Sequence, residues 1–599
     1  MIVATPASTG LARGFARLCH CALTPAVHRR SIDPGEVESE LRRFDDAVAT
    51  VEAELERLQE EVSQTIGEVE AGIFDVHVLM LRESKLRSAV HRLCRDAAMN
   101  VEAAVEEAIR ELETPFLRMD DDYLRERAAD LREVGRRLLN HLGDAGSLSP
   151  PSTSDDEILV TTELLSSVVA RLESGAVRGL IVERGGVTAH ASILARARGI
   201  PMIVQAEHAT REISDGDRLI LDALGGRIFI TPGIAVEQRY DRLAADLRNH
   251  QILLQDQLGQ PPITLDGVGI QLAANIGQTA DAVAAGRIKA AGAGLYRTEF
   301  VFMAENHLPS EAEQYHFYKS TAECLAPERT AIRLLDVGSD KPLPYFSPPR
   351  EENPALGNRG VRLLLEHPEI LRPQLRAILR LAATLPVSIL VPMVGGMDDW
   401  RAIREAIDDC AADLAAEGEV HNSTVPVGVM IETPGAVLLA AELAAAADFV
   451  SVGTNDLVQY LLAADRGDSE NSSAYDPLHP AVLRALDSVV SAVNAAGKPL
   501  SLCGEIAGDP SFTALLLGLG FRRLSVVPSQ LLEIKHAIRS IHLDEAADLA
   551  ASVLAMDSTA EIHAAIGFEW QRRRPVTPPE LTSATAVEPT TRLGSTRRP

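Results

Sequence analysis

The chain is poor in aromatic side chains, in cysteine and in positive charge. Phe, Tyr and Trp together make up only 4% of 599 residues. Its cores must therefore be built from Ala, Leu, Val and Ile, and an apolar content of 46% supplies enough for large ones. Six cysteines are too few for a disulfide framework. Cys19-His20-Cys21 has some metal-ligand character, but no second cysteine pair accompanies it, so a structural zinc is not expected. Lys and Arg number 58 against 85 Asp and Glu, a formal net charge of -27. A surface of that sign argues against nucleic-acid binding and suits a soluble protein or one with a basic partner. No apolar run reaches membrane-spanning length, so no membrane insertion is expected. The opening stretch, MIVATPASTGLARGFARL, lacks the continuous apolar core of a signal peptide. A cytoplasmic location is the expectation.

What is present falls into regions of different periodicity, and the length alone implies several domains. Val37, Leu41, Phe44, Val48, Val51, Leu55, Leu58 and Val62 recur in steps of four and three, a helical apolar seam with an acidic outer face. Helices are also expected over 85–114 and 120–143, giving a region of helical hairpins. The seam reads first as packing against neighbouring helices; the acidic face also suits a basic partner. SLSPPSTSDDE (147–157) is a turn-rich break. Beyond it, EILVTTELL, VRGLIVERGG, IPMIVQA and RLILDAL read as short strands between helices and turns. The strand-like opening residues are expected to join this small α/β domain, which makes the helical region an insertion. Residues 234–257 read as a helical connector. From about residue 259 eight strand candidates alternate with helices: IQLAANIG, AGLYRTEF, AIRLLDVG, SILVPMV, VGVMIET, DFVSVGTND, PLSLCGE and RRLSVVP. Eight such units fit a closed (β/α)8 barrel, with an open doubly wound sheet as the alternative. From Arg572 a Pro-, Thr-, Ser- and Arg-rich tail without apolar period is expected to be disordered.

Polar residues gather where the barrel strands end: Arg297 and Glu299, Arg333 and Asp336, Glu432, Asn455 and Asp456 with Arg466 in the following loop, Cys503 and Glu505. A barrel places all these ends at one mouth, the usual seat of chemistry. Converging arginines call for an anion, and the planar guanidinium suits phosphate and carboxylate oxygens. Glu432 and Asp456 are hard oxygen ligands of the kind that holds Mg²⁺ beside a substrate phosphate. Cys503 reads equally as a small core residue and as a thiol able to protonate a carbanion-like carbon.

One histidine stands out elsewhere, in GGVTAHASILARARGIP (185–201). A neutral imidazole is nucleophilic near physiological pH, and His190 is a candidate carrier of a phosphoryl group. Gly185 and Gly186 permit a turn that exposes backbone N–H groups before a helix, where an anion binds well. Small neighbours, Ala189, Ala191 and Ser192, leave room for a second domain or protein. A helix-start histidine with an ordinary capping role fits the residues as well.

These stretches, with LLDVGSDKPLPYF, NPALGNRGVRLLL, VGTNDLVQYLLAADRG, SLCGEIAGD and GIFDVHVLMLRE, resemble the phosphoenolpyruvate–protein phosphotransferase family, the Enzyme I proteins of bacterial sugar phosphotransferase systems. The likeness covers about residues 1–570. It implies a swivelling phosphohistidine α/β domain (1–26 and 147–232) with an inserted helical carrier-binding domain (27–146). A helical linker (233–258), a (β/α)8 TIM-type barrel (259–571) that binds phosphoenolpyruvate and dimerises, and a tail (572–599) follow. It further implies that His190 takes the phosphoryl group and that Cys503 protonates the enolpyruvate left behind. By the same likeness Arg297, Arg333, Arg359, Asn455 and Arg466 bind substrate and Glu432 and Asp456 hold Mg²⁺. The acceptor implied is a histidine on a small phosphocarrier protein (HPr-like).

Three positions depart from the family pattern: Ala189 where serine is usual, Asn358 where tryptophan is usual, and STGLARG near the start. None removes a chemical residue, so activity is expected to be retained. The same chemistry could feed a regulatory, nitrogen-type chain, although that relative usually carries an extra sensory domain ahead of the pattern. Pyruvate phosphate dikinase and phosphoenolpyruvate synthase share the histidine domain and barrel but need an ATP-binding domain that has no counterpart here. A non-enzymatic scaffold would be expected to have lost some of the chemical residues.

Overall fold

The computed structural model describes residues 1–19, 27–65, 68–82, 84–117, 122–143, 156–172, 177–187, 189–303, 307–338, 343, 345–346, 351, 353–465 and 474–573. The chain divides into two compact units, Met1–Asp246 and a second beginning at Leu247.

In the first unit, strands β1 (Ile2–Val3), β2 (Thr5–Ser8) and β3 (Leu11–Cys19) share one sheet with β4 (Glu157–Thr161), β5 (Gly179–Val182), β6 (Met202–Val204), β7 (Arg218–Asp222) and β8 (Arg227–Ile230). The order is β1-β8-β7-β3-β4-β5-β6-β2. The β3 strand lies parallel to β4, with Phe15 opposite Glu157, and antiparallel to β7. The opening strands thus complete the sheet, as their β-rich pattern implied.

Between β3 and β4 the chain forms five helices: α1 (Val37–Thr65), α2 (Glu68–Arg82), α3 (Ser84–Asp96), α4 (Val101–Leu117) and α5 (Asp122–Leu142). The apolar seam of α1 is buried from Leu41 to Val62, and it packs mainly on α2 and α5. The helix expected over 85–114 is broken between α3 and α4. Ala98 has φ +48, and Met99 forms an isolated bridge with Ser31. Asn100 ties the break down, accepting from Arg30 N (2.9 Å) and donating to the His28 carbonyl (2.9 Å). The break contains neither Gly nor Pro, so nothing in the local pattern announces it. After β4 come α6 (Ser166–Arg171) and, after β5, α7 (His190–Ala197). Cys94, Cys324, Cys410 and Cys503 are free thiols, while Cys19 is disulfide-bonded, which the cysteine count did not suggest. His20 and Cys21 lie outside the described residues.

A single helix, Ile234–Asp256, leads from the first unit into the second. There β9 (Gln271–Ile276), β10 (Ala293–Tyr296), β11 (Thr330–Arg333), β12 (Val387–Val391), β13 (Val427–Ile431), β14 (Phe449–Val452), β15 (Leu500–Leu502) and β16 (Arg523–Val526) close into an all-parallel barrel. Closure is made by β16 on β9, with Arg523 opposite Gln271. This is the (β/α)8 alternative, and the open sheet is excluded. The helix Thr559–Arg573 extends into the expected tail because Arg572 and Arg573 pair with Glu545 and Glu569. Residues 574–599 lie outside the described residues. Among the described residues no helix is long and apolar enough to cross a membrane.

Candidate active site

The carboxyl ends of the barrel strands enclose a cavity of about 200 Å³ lined by Arg297, Arg333, Glu432, Asn455, Asp456 and Cys503, with Glu299, Asp336 and Glu505 among the remaining walls. Sequential strands deliver these residues to one place because each lies at, or within a few residues after, the carboxyl end of a parallel strand. Arg333 donates to Glu299 Oε1 at 2.5 Å and lies 3.4 Å from Asp336 Oδ2. Burial works against its charge, but Glu299, Asp336 and Glu432 outweigh burial and hold it well above the ordinary arginine range. Its Nε is buried without a hydrogen-bond partner, a donor left over for an anion. Arg359, almost fully buried, forks onto Asp336 (Nε 3.2 Å, Nη2 2.8 Å) and reaches Asp456 at 3.5 Å and Tyr460 at 3.2 Å. Asp336 therefore fixes two arginines at once. Arg297 lines the same cavity and makes no ion pair with any described carboxylate.

Glu432 is buried, and its Oε1 accepts the Met393 N–H at 2.6 Å. Burial first, then the neighbouring charges of Asp456 and Asp336, push its pKa up to about 8. Three acids crowded in a buried mouth call for a cation, and two hard carboxylates with room for a substrate oxygen suit Mg²⁺. The close geometry depends on Gly453: a Cβ there would lie 2.7 Å from Glu432 Oε2. Asn455 is locked against Glu505, donating to Oε1 (2.8 Å) and accepting from the backbone N–H (2.9 Å). Cys503 is buried, accepts from Ser451 Oγ (3.3 Å) and donates to the Val452 carbonyl (3.4 Å). Burial pushes its pKa up to about 11, so at neutral pH it is a thiol with a proton to give. Arg466 lies outside the described residues.

His190 sits in the first unit, at the first residue of α7. Its Nδ1 is 2.8 Å from Asp130 Oδ1 on α5, and the same oxygen is 3.4 Å from His77 Nε2 on α2. Burial disfavours the Asp130 charge, but hydrogen bonds from His190 and His77 prevail and push its pKa down to about 2. An ionised carboxylate only accepts, so His190 carries its proton on Nδ1 and its lone pair on Nε2. The imidazole is partly exposed beside a small cavity bordered by Arg132, Arg136 and Ala189. Thr188 lies outside the described residues. Ligand atoms of His77, Asp130 and His190 all fall within 4.8 Å of one another, a set able to hold a metal ion. Two imidazoles suit a transition metal better than Mg²⁺, whose chemistry matches the carboxylates of the barrel.

Residues 3–127 match the N-terminal domain of PEP-utilising enzymes, residues 153–226 their mobile domain, and residues 252–543 their PEP-binding domain. The phosphoenolpyruvate-protein phosphotransferase of Haemophilus influenzae is 36% identical over 533 residues, 89% of this chain and 93% of the relative. The chain belongs to the phosphoenolpyruvate-protein phosphotransferase family. The phosphotransferase of Listeria innocua is 34% identical over 93% of this chain and 97% of its own length, and that of Bacillus subtilis is 34% identical over 90% and 94%.

In this family member the barrel mouth brings together every expected residue of the second unit that is described: Arg297, Arg333, Arg359, Glu432, Asn455, Asp456 and Cys503. His190 belongs to the other unit. Sequence reasoning missed His77 and Asp130. His77 lies inside a quoted motif as an ordinary helix residue, and Asp130 reads as one more acid on a polar helix face. Both are buried, and only the fold reveals that their side chains meet His190 across 60 and 113 residues of sequence, Asp130 and His77 respectively.

Proposed function

We propose that the chain moves the phosphoryl group of phosphoenolpyruvate onto His190 and then to a histidine of a small phosphocarrier protein (HPr-like). This is the first step of phosphotransferase-system sugar uptake. The observation that carries this reading is the 2.8 Å contact between His190 Nδ1 and an Asp130 carboxylate held ionised, which presents Nε2 as the nucleophile.

In this reading Arg297 and Arg333 hold the phosphoryl and carboxyl oxygens of phosphoenolpyruvate, with Arg359 and Arg466 completing the clamp. Asn455 positions the substrate from the wall shared with Glu505. Glu432 and Asp456 are the residues that would hold Mg²⁺, which when bound would neutralise charge on the phosphoryl oxygens. His190 Nε2 attacks phosphorus as the bond to the enol oxygen breaks. Asp130 steadies the Nδ1 proton as positive charge grows on the ring. The enolpyruvate released takes a proton at carbon from the Cys503 thiol. His190 and the mouth belong to different units. In this reading the α/β domain (1–26 and 147–232) brings His190 to the substrate together with the inserted helices that bear Asp130, with the helix of 233–258 as linker. The inserted helices (27–146), whose outer face is acidic, suit a basic carrier surface. A homodimer through the barrel (259–571) and a cytoplasmic location complete the reading.

The test is the intact mass of the chain after mixing with phosphoenolpyruvate and Mg²⁺ near neutral or alkaline pH, since phosphohistidine is acid-labile. The expected gain is one phosphoryl group (about 80 Da), absent from His190→Ala. A folded wild-type chain that gains no mass would overturn the reading.

A further inference from the structure

The end of the barrel opposite the mouth carries a second polar cavity that the chemistry above does not use. Interior layers of such barrels are ordinarily filled by bulky branched side chains. Here the starts of the strands contribute Gly294, Ala331, Ser388 and Ser501, and these small groups leave a cavity of about 370 Å³. Two guanidiniums border it: Arg523, the first residue of β16, and Arg329, just before β11. Neither makes an ion pair with a described carboxylate. Arg523 Nε is buried and has no hydrogen-bond partner. Burial and then the like charge of Arg329 lower the pKa of Arg523, with Glu328 opposing them. The acid on the wall, Asp448, accepts the Val427 N–H through Oδ2 at 2.8 Å. Ser388 is only 1% exposed, and its Oγ is also without a partner, whereas Ser501 donates to the Val450 carbonyl at 3.4 Å.

Buried donors left unmade are costly, and a guanidinium facing another guanidinium needs a counter-charge. The planar fork of arginine matches the paired oxygens of a carboxylate or phosphate, and a buried hydroxyl beside it adds a third donor. We propose that this cavity binds a small oxyanion, a phosphate or a carboxylate group, between Arg329 and Arg523 with Ser388 as hydroxyl partner. The site is separate from the phosphoenolpyruvate mouth, which lies at the other ends of the same strands.

The experiment is isothermal titration of the full chain with inorganic phosphate and, separately, with succinate. Phosphate also suits the mouth, so the titrations are repeated in R297Q, which weakens that contribution. The expected result is one anion site per chain that survives in R297Q and is weakened about tenfold or more by adding R523Q. R329Q, altering a side chain exposed at the rim, gives the same loss should R523Q fold poorly. R523Q alone still takes up the phosphoryl group from phosphoenolpyruvate, whereas R297Q is impaired, so the two sites fail independently. Binding of phosphate but not succinate, or the reverse, identifies the oxyanion. If R297Q binds neither anion, the cavity holds only water and the proposal falls. It falls equally if adding R523Q or R329Q leaves R297Q binding the anion as tightly as before.

Discussion

At the scale of single residues the chemistry is divided between a proton held in place and a proton ready to leave. Asp130 keeps the Nδ1 proton of His190, at 2.8 Å. Asp130→Asn leaves the size of the side chain unchanged but lets the amide offer a donor to Nδ1, which favours the wrong tautomer. Phosphoryl uptake by Asp130→Asn is expected to slow about 100-fold or more, measured by quenched-flow mass analysis, with the circular dichroism spectrum unchanged. Cys503 keeps its proton because burial pushes its pKa up to about 11. Alkylation requires the thiolate, so its rate at Cys503 should climb with pH and show no plateau below about 11, unlike a small-molecule thiol. A plateau near 9, the ordinary value, would disprove the buried-thiol assignment. The roles open to Arg297, Arg333, Glu432 and Asp456 were legible in the sequence, because a strand end followed by a charged residue is a local signal. Asp130 and His77 gave no such signal, since a helix face alone does not reveal which acid is covered by a neighbouring helix.

At the scale of elements, the mouth depends on backbone as much as on side chains. Gly360, next to Arg359, has φ +58, and a Cβ there would lie 2.7 Å from Cβ of Met393. Met393 itself has φ +56 and donates its N–H to Glu432. Gly360→Ala therefore displaces the segment that aims Glu432. It is expected to cost about 1–3 kcal/mol in denaturant unfolding of the barrel and to reduce phosphoryl uptake as well. The eight barrel strands were readable as apolar runs, each bounded by turn residues. The split between α3 and α4 was not, because Ala98 adopts its positive φ for the sake of bonds that Asn100 makes with His28 and Arg30, distant in sequence. Asn358, which stands beside Arg359 where tryptophan is usual in the family, donates to Glu366 Oε2 at 2.6 Å and leaves the fork of Arg359 on Asp336 intact.

At the scale of the molecule, each unit has its own hydrophobic core. One cluster lies wholly within residues 270–566, and two others lie within residues 2–228. Units with separate cores unfold as separate cooperative transitions. Calorimetry of His190→Ala, which cannot consume phosphoenolpyruvate, is expected to show two transitions, of which substrate with Mg²⁺ raises only the barrel's. A single transition that moves as a whole would show the two units to be thermodynamically fused. The helical connector read over 234–257 made this division visible in the sequence, since the boundary at Asp246 falls within it, whereas the turn-rich 147–157 marks a change of period inside the first unit. The sheet order did not follow from it, because β1–β3 pair with strands that come more than a hundred residues later.

The fixed place of Cys503 in the wall of the mouth bears on handedness. An enol is planar and has two distinct faces, and a donor fixed on one side by Ser451 and the Val452 carbonyl can reach only one of them. Phosphoenolpyruvate carrying two different hydrogen isotopes on its methylene carbon, turned over in water containing the third, would therefore yield pyruvate whose methyl group is chiral.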